Sequence, residues 1–278
     1  MSDWQKQVFP EPFFRPAPER VAVPPITTGA LLSRSLIAFV QHAPFLLGVS
    51  GVVFVLITVG SCACYIPGMI AGTLSGWALA AWSLGTVDGH ARLRDGRVAI
   101  RRPLHAALGS IWFSVTQAAP AVALGIPVLA GMLAAIPLWQ TPALALPIYA
   151  SSWVVGLAFS GVFVARVGAA RFLAVEHDVN PIEATTNVLR ATADAWVPLS
   201  LAYAIVIVSV LALLPVAVGL YGIVSSYPDG SNAHLAAMAG SAFLLTVLGM
   251  LWYGVLTTLD AVAYRALGYP VATQADSG

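Results

Sequence analysis

Apolar residues are gathered along this chain into six long stretches, and more polar segments separate them. The stretches cover approximately residues 44–63, 67–88, 113–137, 144–168, 197–224 and 236–262. A helix needs about 20 apolar residues to cross the hydrocarbon core of a bilayer, and each stretch reaches that length. Short connections (CYIP, LWQTP and SSYPDGSNAH) join the stretches in pairs. The pattern therefore predicts an all-α polytopic membrane protein with six transmembrane helices arranged as three hairpins.

A polar segment that ends in proline precedes each pair of stretches. These segments (QHAPFLLG, TQAAPAVALG and DAWVPLSLA) contain Pro44, Pro120 and Pro198, at intervals of 76 and 78 residues. Pro103 and Pro181 each stand 17 residues before the second and third of these prolines. The spacing indicates three repeats, each an interfacial amphipathic helix followed by a hairpin. Chance spacing is the alternative, because the chain contains 19 prolines.

The third of these lead-in segments has the clearest helix signals. In VNPIEATTNVLRATADAW, Asn180 can cap a helix whose first residue is Pro181, and Glu183 completes a capping pattern. Three apolar residues recur every seven positions and share one face: Ile182, Leu189 and Trp196. We expect this face to lie towards the bilayer.

Positive charge is confined to one side of the predicted topology. All 13 Lys and Arg residues lie in the tails, in the segments between pairs or close to the corresponding span ends. The bias predicts that both termini are cytoplasmic. Clustered arginines at this side would attract anionic lipid. The candidate contacts are Arg34, Arg97, Arg101, Arg102, Arg171 and Arg190.

Composition supports a membrane protein and sets the domain limits. Hydrophobic residues make up 59% of the chain and charged residues 9%, against about 25% charged in a soluble domain. The Arg-rich composition is typical of a GC-rich bacterial genome, so we expect the bacterial inner membrane. We expect a disordered, proline-rich tail over 1–28, a membrane domain over 29–268 and a disordered tail over 269–278. The first tail lacks the features of a cleaved signal peptide.

Three charged residues near the inner ends of spans two, four and six form a candidate cluster between the hairpins. They are Asp88, Arg166 and Asp260. A charge close to hydrocarbon is costly unless it is paired or reaches solvent. We expect Arg166 to lie between the two acids as a structural clamp. A gate for a polar solute and separate, unpaired side chains are the alternatives.

Small residues at four-residue spacing predict close helix packing. Span two contains Gly68, Gly72 and Gly76, and span four contains Gly156 between Ser152 and Ser160. Packing within the protein is the first interpretation, and self-association is the alternative.

No catalytic, metal or cofactor site is expected. The five histidines have no ligand spacing. Asp88, Gly89 and Arg92 resemble part of the core motif of CDP-alcohol phosphotransferases, but the additional carboxylates that hold metal ions in those enzymes are missing. Cys62 and Cys64 are either two small apolar residues or a strained disulfide.

Several segments resemble the six-span membrane domain that is fused to some bacterial glycerophosphoryl diester phosphodiesterases and also occurs alone. The segments are TTGALLSRSLIAFVQHAPFLLG, GTVDGHARLRDGRVAIRRPLHAALGSIW, GAARFLAVEHDVNPIEATTNVLRATADAWVPL and LTTLDAVAYRALG. Together they span about residues 26–268. The resemblance implies a fold and a membrane location, but it transfers no activity because the soluble catalytic domain has no counterpart here.

Two functions remain open from the sequence. The first is a non-catalytic membrane component that binds lipid or a protein partner, which includes a second copy of the chain. The second is a permease or flippase for an amphipathic or lipid-like solute. A permease should have a cavity lined by polar groups from at least two hairpins. No feature of the sequence indicates nucleic-acid binding.

Overall fold

The computed structural model describes residues 16–63, 77–89, 103–116 and 118–271, and these residues form a bundle of α-helices without strands. The helices are α1 (Thr28–Ala63), α2 (described over Trp77–Val87), α3 (Pro103–Thr116), α4 (Ala118–Ala135), α5 (Pro142–Val167), α6 (Ala170–His177), α7 (Pro181–Ala191), α8 (Trp196–Val208), α9 (Leu214–Ser225) and α10 (Asn232–Ala266). The expected all-helical fold is therefore confirmed.

Two short 3-10 segments follow helices in the described part of the chain. Ile136–Leu138 follows α4, and Ser209–Leu213 lies between α8 and α9. Pro137 and Pro215 stand in the first turns of the segments that begin there. Because proline has no backbone N–H, the regular hydrogen-bond ladder is interrupted at these points.

Five helical regions among the described residues are long and apolar enough to cross a membrane. They are Thr28–Val49, Ala119–Leu138, Ala143–His177, Trp196–Ser225 and Asn232–Ala266. The predicted span over 67–88 lies partly outside the described residues, and its described part is the short apolar helix α2. A multi-pass membrane protein is compatible with these helices.

The first lead-in segment does not form a separate helix, which corrects the expectation of three alike repeats. Helix α1 runs without a break over 36 residues and contains Pro44 in its interior. The ring of Phe39 packs so closely on α10 that a Cβ atom at Gly254 would lie 2.7 Å from it. The first lead-in is therefore part of α1 and packs on α10.

The second and third repeats are alike in the structure. Pro103 begins α3 and Pro181 begins α7, while Pro120 and Pro198 are each the third residue of the following helix. Asn180 caps α7 as predicted, since its side chain accepts a hydrogen bond of 2.9 Å from the backbone N–H of Ile182. The two lead-in helices also touch, because the indole of Trp112 donates to Thr185 over 2.9 Å.

Helix α7 has two apolar faces of different kinds. Ala184 and Val188 are fully buried against the body, while Ile182 is 55% exposed. Trp196, which follows at the start of α8, is 50% exposed. An exposed apolar side chain beside a packed face is typical of a helix that lies at a membrane interface.

Close backbone approaches hold the middle of the bundle together. Helix α5 packs on α4 and on α8. A Cβ atom at Gly156 would lie 2.7 Å from the carbonyl oxygen of Leu124, and one at Gly161 would lie 2.8 Å from the backbone N of Ala204. Gly156 thus lies at an internal helix contact. Gly68, Gly72 and Gly76 lie outside the described residues, as does Cys64.

The buried core lies near one end of the bundle, which we call the charged end because it carries Asp88, Glu176 and Arg265. Large side chains such as Leu173, Leu199 and Leu259 are fully buried there. Towards the opposite end, large apolar side chains point outward, and Tyr221 and Phe243 are 74% and 71% exposed. Exposed apolar surface of this extent fits contact with lipid.

Gly156 provides a test of the α4–α5 contact. We expect Gly156→Ala to lower the free energy of unfolding by about 1–3 kcal/mol, because the added methyl group overlaps a carbonyl oxygen that cannot move alone. Gly125→Ala is the matched control on α4, since a Cβ atom there meets open space. It should leave stability unchanged or raise it by up to about 1 kcal/mol. Thermal unfolding in detergent measures both, and equal effects would contradict the close approach.

Candidate functional site

One arginine joins two acids from different parts of the chain at the charged end. The guanidinium of Arg265 donates to Asp88 through Nε (3.0 Å) and Nη2 (2.6 Å). It donates to Glu176 through Nη1 (2.7 Å) and Nη2 (2.8 Å). The three side chains are only 10–16% exposed. We call this arrangement the Arg265 interlock.

The interlock connects all three predicted hairpins. Asp88 follows α2, Glu176 lies in α6 directly after α5, and Arg265 lies in the last turn of α10. Two pairs of donors in one rigid plane suit two carboxylates, so each contact fixes direction as well as distance. The ends of three helices therefore depend on one side chain.

Aromatic side chains next to the interlock form a hydrogen bond with it and stack on one another. The hydroxyl of Tyr264 donates to Glu176 over 2.8 Å, and its ring is fully buried. The ring stacks on Tyr269 with centroids 5.2 Å apart and on Phe172 with centroids 6.0 Å apart. Removing Arg265 would consequently take a shared counter-charge from two acids that lie close to an apolar core, where this loss is costly.

The predicted cluster of Asp88, Arg166 and Asp260 is not formed, because each of these three side chains has other partners. Arg166 donates to the backbone carbonyls of Leu189 (3.2 Å) and Thr192 (3.4 Å) at the C-terminal end of α7. These carbonyls belong to the last turn and the C-cap of α7, where the helix dipole is negative, and that of Leu189 also accepts from the Thr192 hydroxyl over 3.1 Å. Counting residues along the spans does not give the side of α5 from which Arg166 projects, and the side chain points towards the end of α7.

Asp260 has a separate environment. It accepts a short hydrogen bond from the hydroxyl of Tyr203 in α8, and the positive charge of Arg171 acts on it. A Cβ atom at Gly168 would lie 2.7 Å from the carboxylate, so the turn between α5 and α6 needs glycine there. Asp260 thus ties α10 to α8 and to this turn.

Arg34 on α1 and Arg190 on α7 are exposed arginines at the charged end, and neither makes an ion pair with a described residue. Arg171 lies close enough to Asp260 to act on its charge. Arg97, Arg101 and Arg102 have no described side chains. Contact with anionic lipid stays a prediction for all of these residues.

Part of the N-terminal segment that was predicted to be disordered lies against the charged end. The N–H of Val21 donates to the carbonyl of Gly268 (2.8 Å), and that of Ala17 donates to Glu183 (3.3 Å). Gly268 has φ +84°, and a Cβ atom there would collide with the carbonyl of Val21. We call residues 16–27 the strap, and the sequence signal that could have indicated it is this glycine after α10.

The C-terminal boundary also extends further than expected. Tyr269 was assigned to a disordered tail, but it is 4% exposed and stacks on Tyr264. Burial raises the pKa of the Tyr269 phenol, and the positive charge of Arg20 opposes this shift. His177 contacts the carbonyl of Pro270 over 3.1 Å. Tyr269 and Pro270 therefore pack against the body.

A cavity of about 490 Å³ lies beside the interlock. Its walls come from the strap, from one face of α1, from the end of α2 and from the end of α10. Thr27, Arg34, Gln41, Thr86 and Arg265 supply its polar side chains, and the remaining wall is mostly apolar. The volume is within the range of about 300–1,000 Å³ that is usual for small-molecule sites.

Comparisons with protein-family models, with curated proteins and with solved structures found no match to this chain. Among the described residues, no group of three or more His, Cys, Asp or Glu side chains could hold a metal ion. The interlock and the cavity are thus the features of the described residues that bear on function.

Arg265→Gln tests the interlock. We expect it to lower the free energy of unfolding by about 3–5 kcal/mol, because two nearly buried acids lose their shared cation. Asp88→Asn should cost less, since Arg265 keeps Glu176. Arg166→Gln is the control with the same charge change, and it should cost about 1–2 kcal/mol because only two long bonds to carbonyls are lost. Thermal unfolding in lipid nanodiscs provides the comparison, and equal losses for Arg265→Gln and Arg166→Gln would refute the interlock.

Proposed function

We propose that this chain is a non-catalytic, six-span protein of the bacterial inner membrane that binds anionic lipid at its charged end, with both termini cytoplasmic. The observation that carries the proposal is the division of arginines at this end into two groups. Arg265 and Arg166 are satisfied by acids or carbonyls of the protein. Arg34 and Arg190 are exposed and have no acidic partner among the described residues.

The surroundings of the two exposed arginines fit a lipid headgroup plane. Ile37, one turn after Arg34 on α1, is 57% exposed. Ile182 and Trp196 are similarly exposed on α7 and at the start of α8. Cations beside exposed apolar side chains match the boundary between headgroups and acyl chains, and each arginine there contributes about 1 kcal/mol. The resemblance to the membrane domain of glycerophosphoryl diester phosphodiesterases supports the same location.

A permease or flippase for an amphipathic solute is the second candidate, and the cavity favours it. Its polar lining comes from α1 and α2 in one hairpin and from α10 in another. A solute could enter between these hairpins from the charged end. Flux of a fluorescent anionic lipid across proteoliposomes separates the two functions, because a binding component leaves the flux at the protein-free rate.

Preference for anionic lipid can be measured through the tryptophans. Brominated lipid quenches tryptophan fluorescence on contact, so brominated phosphatidylglycerol and phosphatidylcholine give relative affinities for the protein surface. We expect wild type to prefer phosphatidylglycerol. Arg34→Gln with Arg190→Gln should reduce this preference by roughly fivefold per arginine at low salt, from about 1 kcal/mol each.

Arg166→Gln is the control for the lipid-preference measurement, because it removes a charge that the protein already satisfies. It should leave the preference within experimental error of wild type, provided that the protein stays folded. An unchanged preference in the double variant, or the same loss in Arg166→Gln, would reject binding through the exposed arginines. Increased salt should weaken the wild-type preference, since these charges are exposed.

A further inference from the structure

The cavity beside the interlock is a groove along α1 rather than an enclosed chamber. Ala30, Arg34, Ala38 and Gln41 all line it, and their spacing of three or four residues places them on one face of α1. The groove therefore follows α1 for about 17 Å at 1.5 Å per residue. It opens outward, because Arg34, Ile37 and Gln41 are exposed. Its floor is apolar, since Leu31 and Val262 are 2% and 4% exposed.

Arg34 gives the groove an exposed positive charge that an anion can bind. Arg34 and Arg265 are the charged residues that line it, and no Asp or Glu side chain is part of the described lining. The guanidinium of Arg265 is occupied by Asp88 and Glu176. Arg34 makes no ion pair with a described residue, so it is the cation that remains available to a ligand.

Shape and position favour an amphiphile over a small soluble anion. The polar side chains Thr27 and Arg34 lie near the strap, while Ile37 and Ala38 continue the groove along α1. Arg34, Ile37 and Ala38 belong to the apolar stretch Thr28–Val49, which is long enough to span a membrane. An acyl chain gains about 0.8 kcal/mol for each CH₂ group that it buries, so an extended apolar wall rewards a chain and not a free phosphate.

We propose that this groove holds one anionic phospholipid, with the phosphate of its headgroup at Arg34 and an acyl chain along α1 towards Gln41. The inference rests on the proposed function and deepens it, because it names one defined site and a ligand class. Val23, Pro24, Pro25 and Ile26 of the strap form a wall of the groove. The hydrogen bond between Val21 and Gly268 fixes the strap close to this wall.

Native mass spectrometry on the full-length protein tests the site. The protein is released from nanodiscs that contain phosphatidylglycerol and phosphatidylcholine in equal amounts, and the retained lipids are counted. We expect one retained phosphatidylglycerol in wild type. Arg34→Gln should reduce its occupancy about fivefold, from one lost arginine contact of about 1 kcal/mol. Arg20→Gln is the charge-matched control, since Arg20 is exposed on the strap and does not line the groove.

A second pair of variants keeps every charge. Ala38→Phe fills the groove and should abolish retention, whereas Val40→Phe adds the same ring at a position that is 69% exposed and outside the lining. This pair also decides the question if Arg34→Gln fails to fold. Equal retention in Ala38→Phe and Val40→Phe overturns the site, and so does an equal loss in Arg34→Gln and Arg20→Gln.

Competition with soluble anions distinguishes a site for a lipid headgroup from a site for a free phosphate. Inorganic phosphate and glycerol 3-phosphate are added at millimolar concentration to the same preparations. We expect neither to displace the retained lipid, and displacement together with binding of the soluble anion would overturn the assignment to a lipid. Failure of the proposed function is distinguishable, because it appears as a lost preference in the fluorescence experiment while one lipid is still retained here.

Discussion

The guanidinium of Arg265 lies between two carboxylates that belong to other parts of the chain, and the charged end of the bundle is organised around it. Asp88 connects the end of α2 to this guanidinium, and Glu176 connects α6 to it. The hydroxyl of Tyr264, in the same turn of α10, donates a hydrogen bond to Glu176. Long apolar helices packed in a bilayer gain little from the hydrophobic effect between one another, so polar contacts and close packing must select their arrangement. The interlock supplies the polar contacts at one end, and the glycine contacts of α5 supply the packing in the middle.

The arginines of the charged end differ in whether the protein itself supplies their hydrogen-bond partners. Arg265 and Arg166 are used inside the protein, where acids and helix carbonyls satisfy them. Arg34 is left exposed on the wall of a groove whose opposite wall ends at the interlock. The two carboxylates outweigh the positive charge of Arg265, and the contact fixes the side of the groove that Arg265 forms.

Much of the helix layout could be predicted from the sequence, because length and apolar content govern it. The predicted span over 144–168 corresponds to α5, and that over 236–262 lies within α10. Capping by Asn180 was also predictable, since it depends on neighbouring residues only. The partners of Asp88 and Arg166 were not, because hydropathy gives the depth of a residue but not the direction in which its side chain leaves the helix. Glu176 was missed since it lies between spans, and Tyr269 was missed since a stacked aromatic after α10 has no signal of its own.

The distance between α1 and α7 at the charged end tests the central role of Arg265 most directly. Spin labels at Ser33 on α1 and Thr186 on α7, both exposed, report on that distance in nanodiscs through pulsed electron spin resonance. The account predicts one narrow distance distribution in otherwise unchanged protein and a broad one with Arg265→Gln, because α2 and α6 lose their common partner. A distribution that stays narrow and unshifted in Arg265→Gln would contradict the claim that this arginine holds the helices of the charged end together.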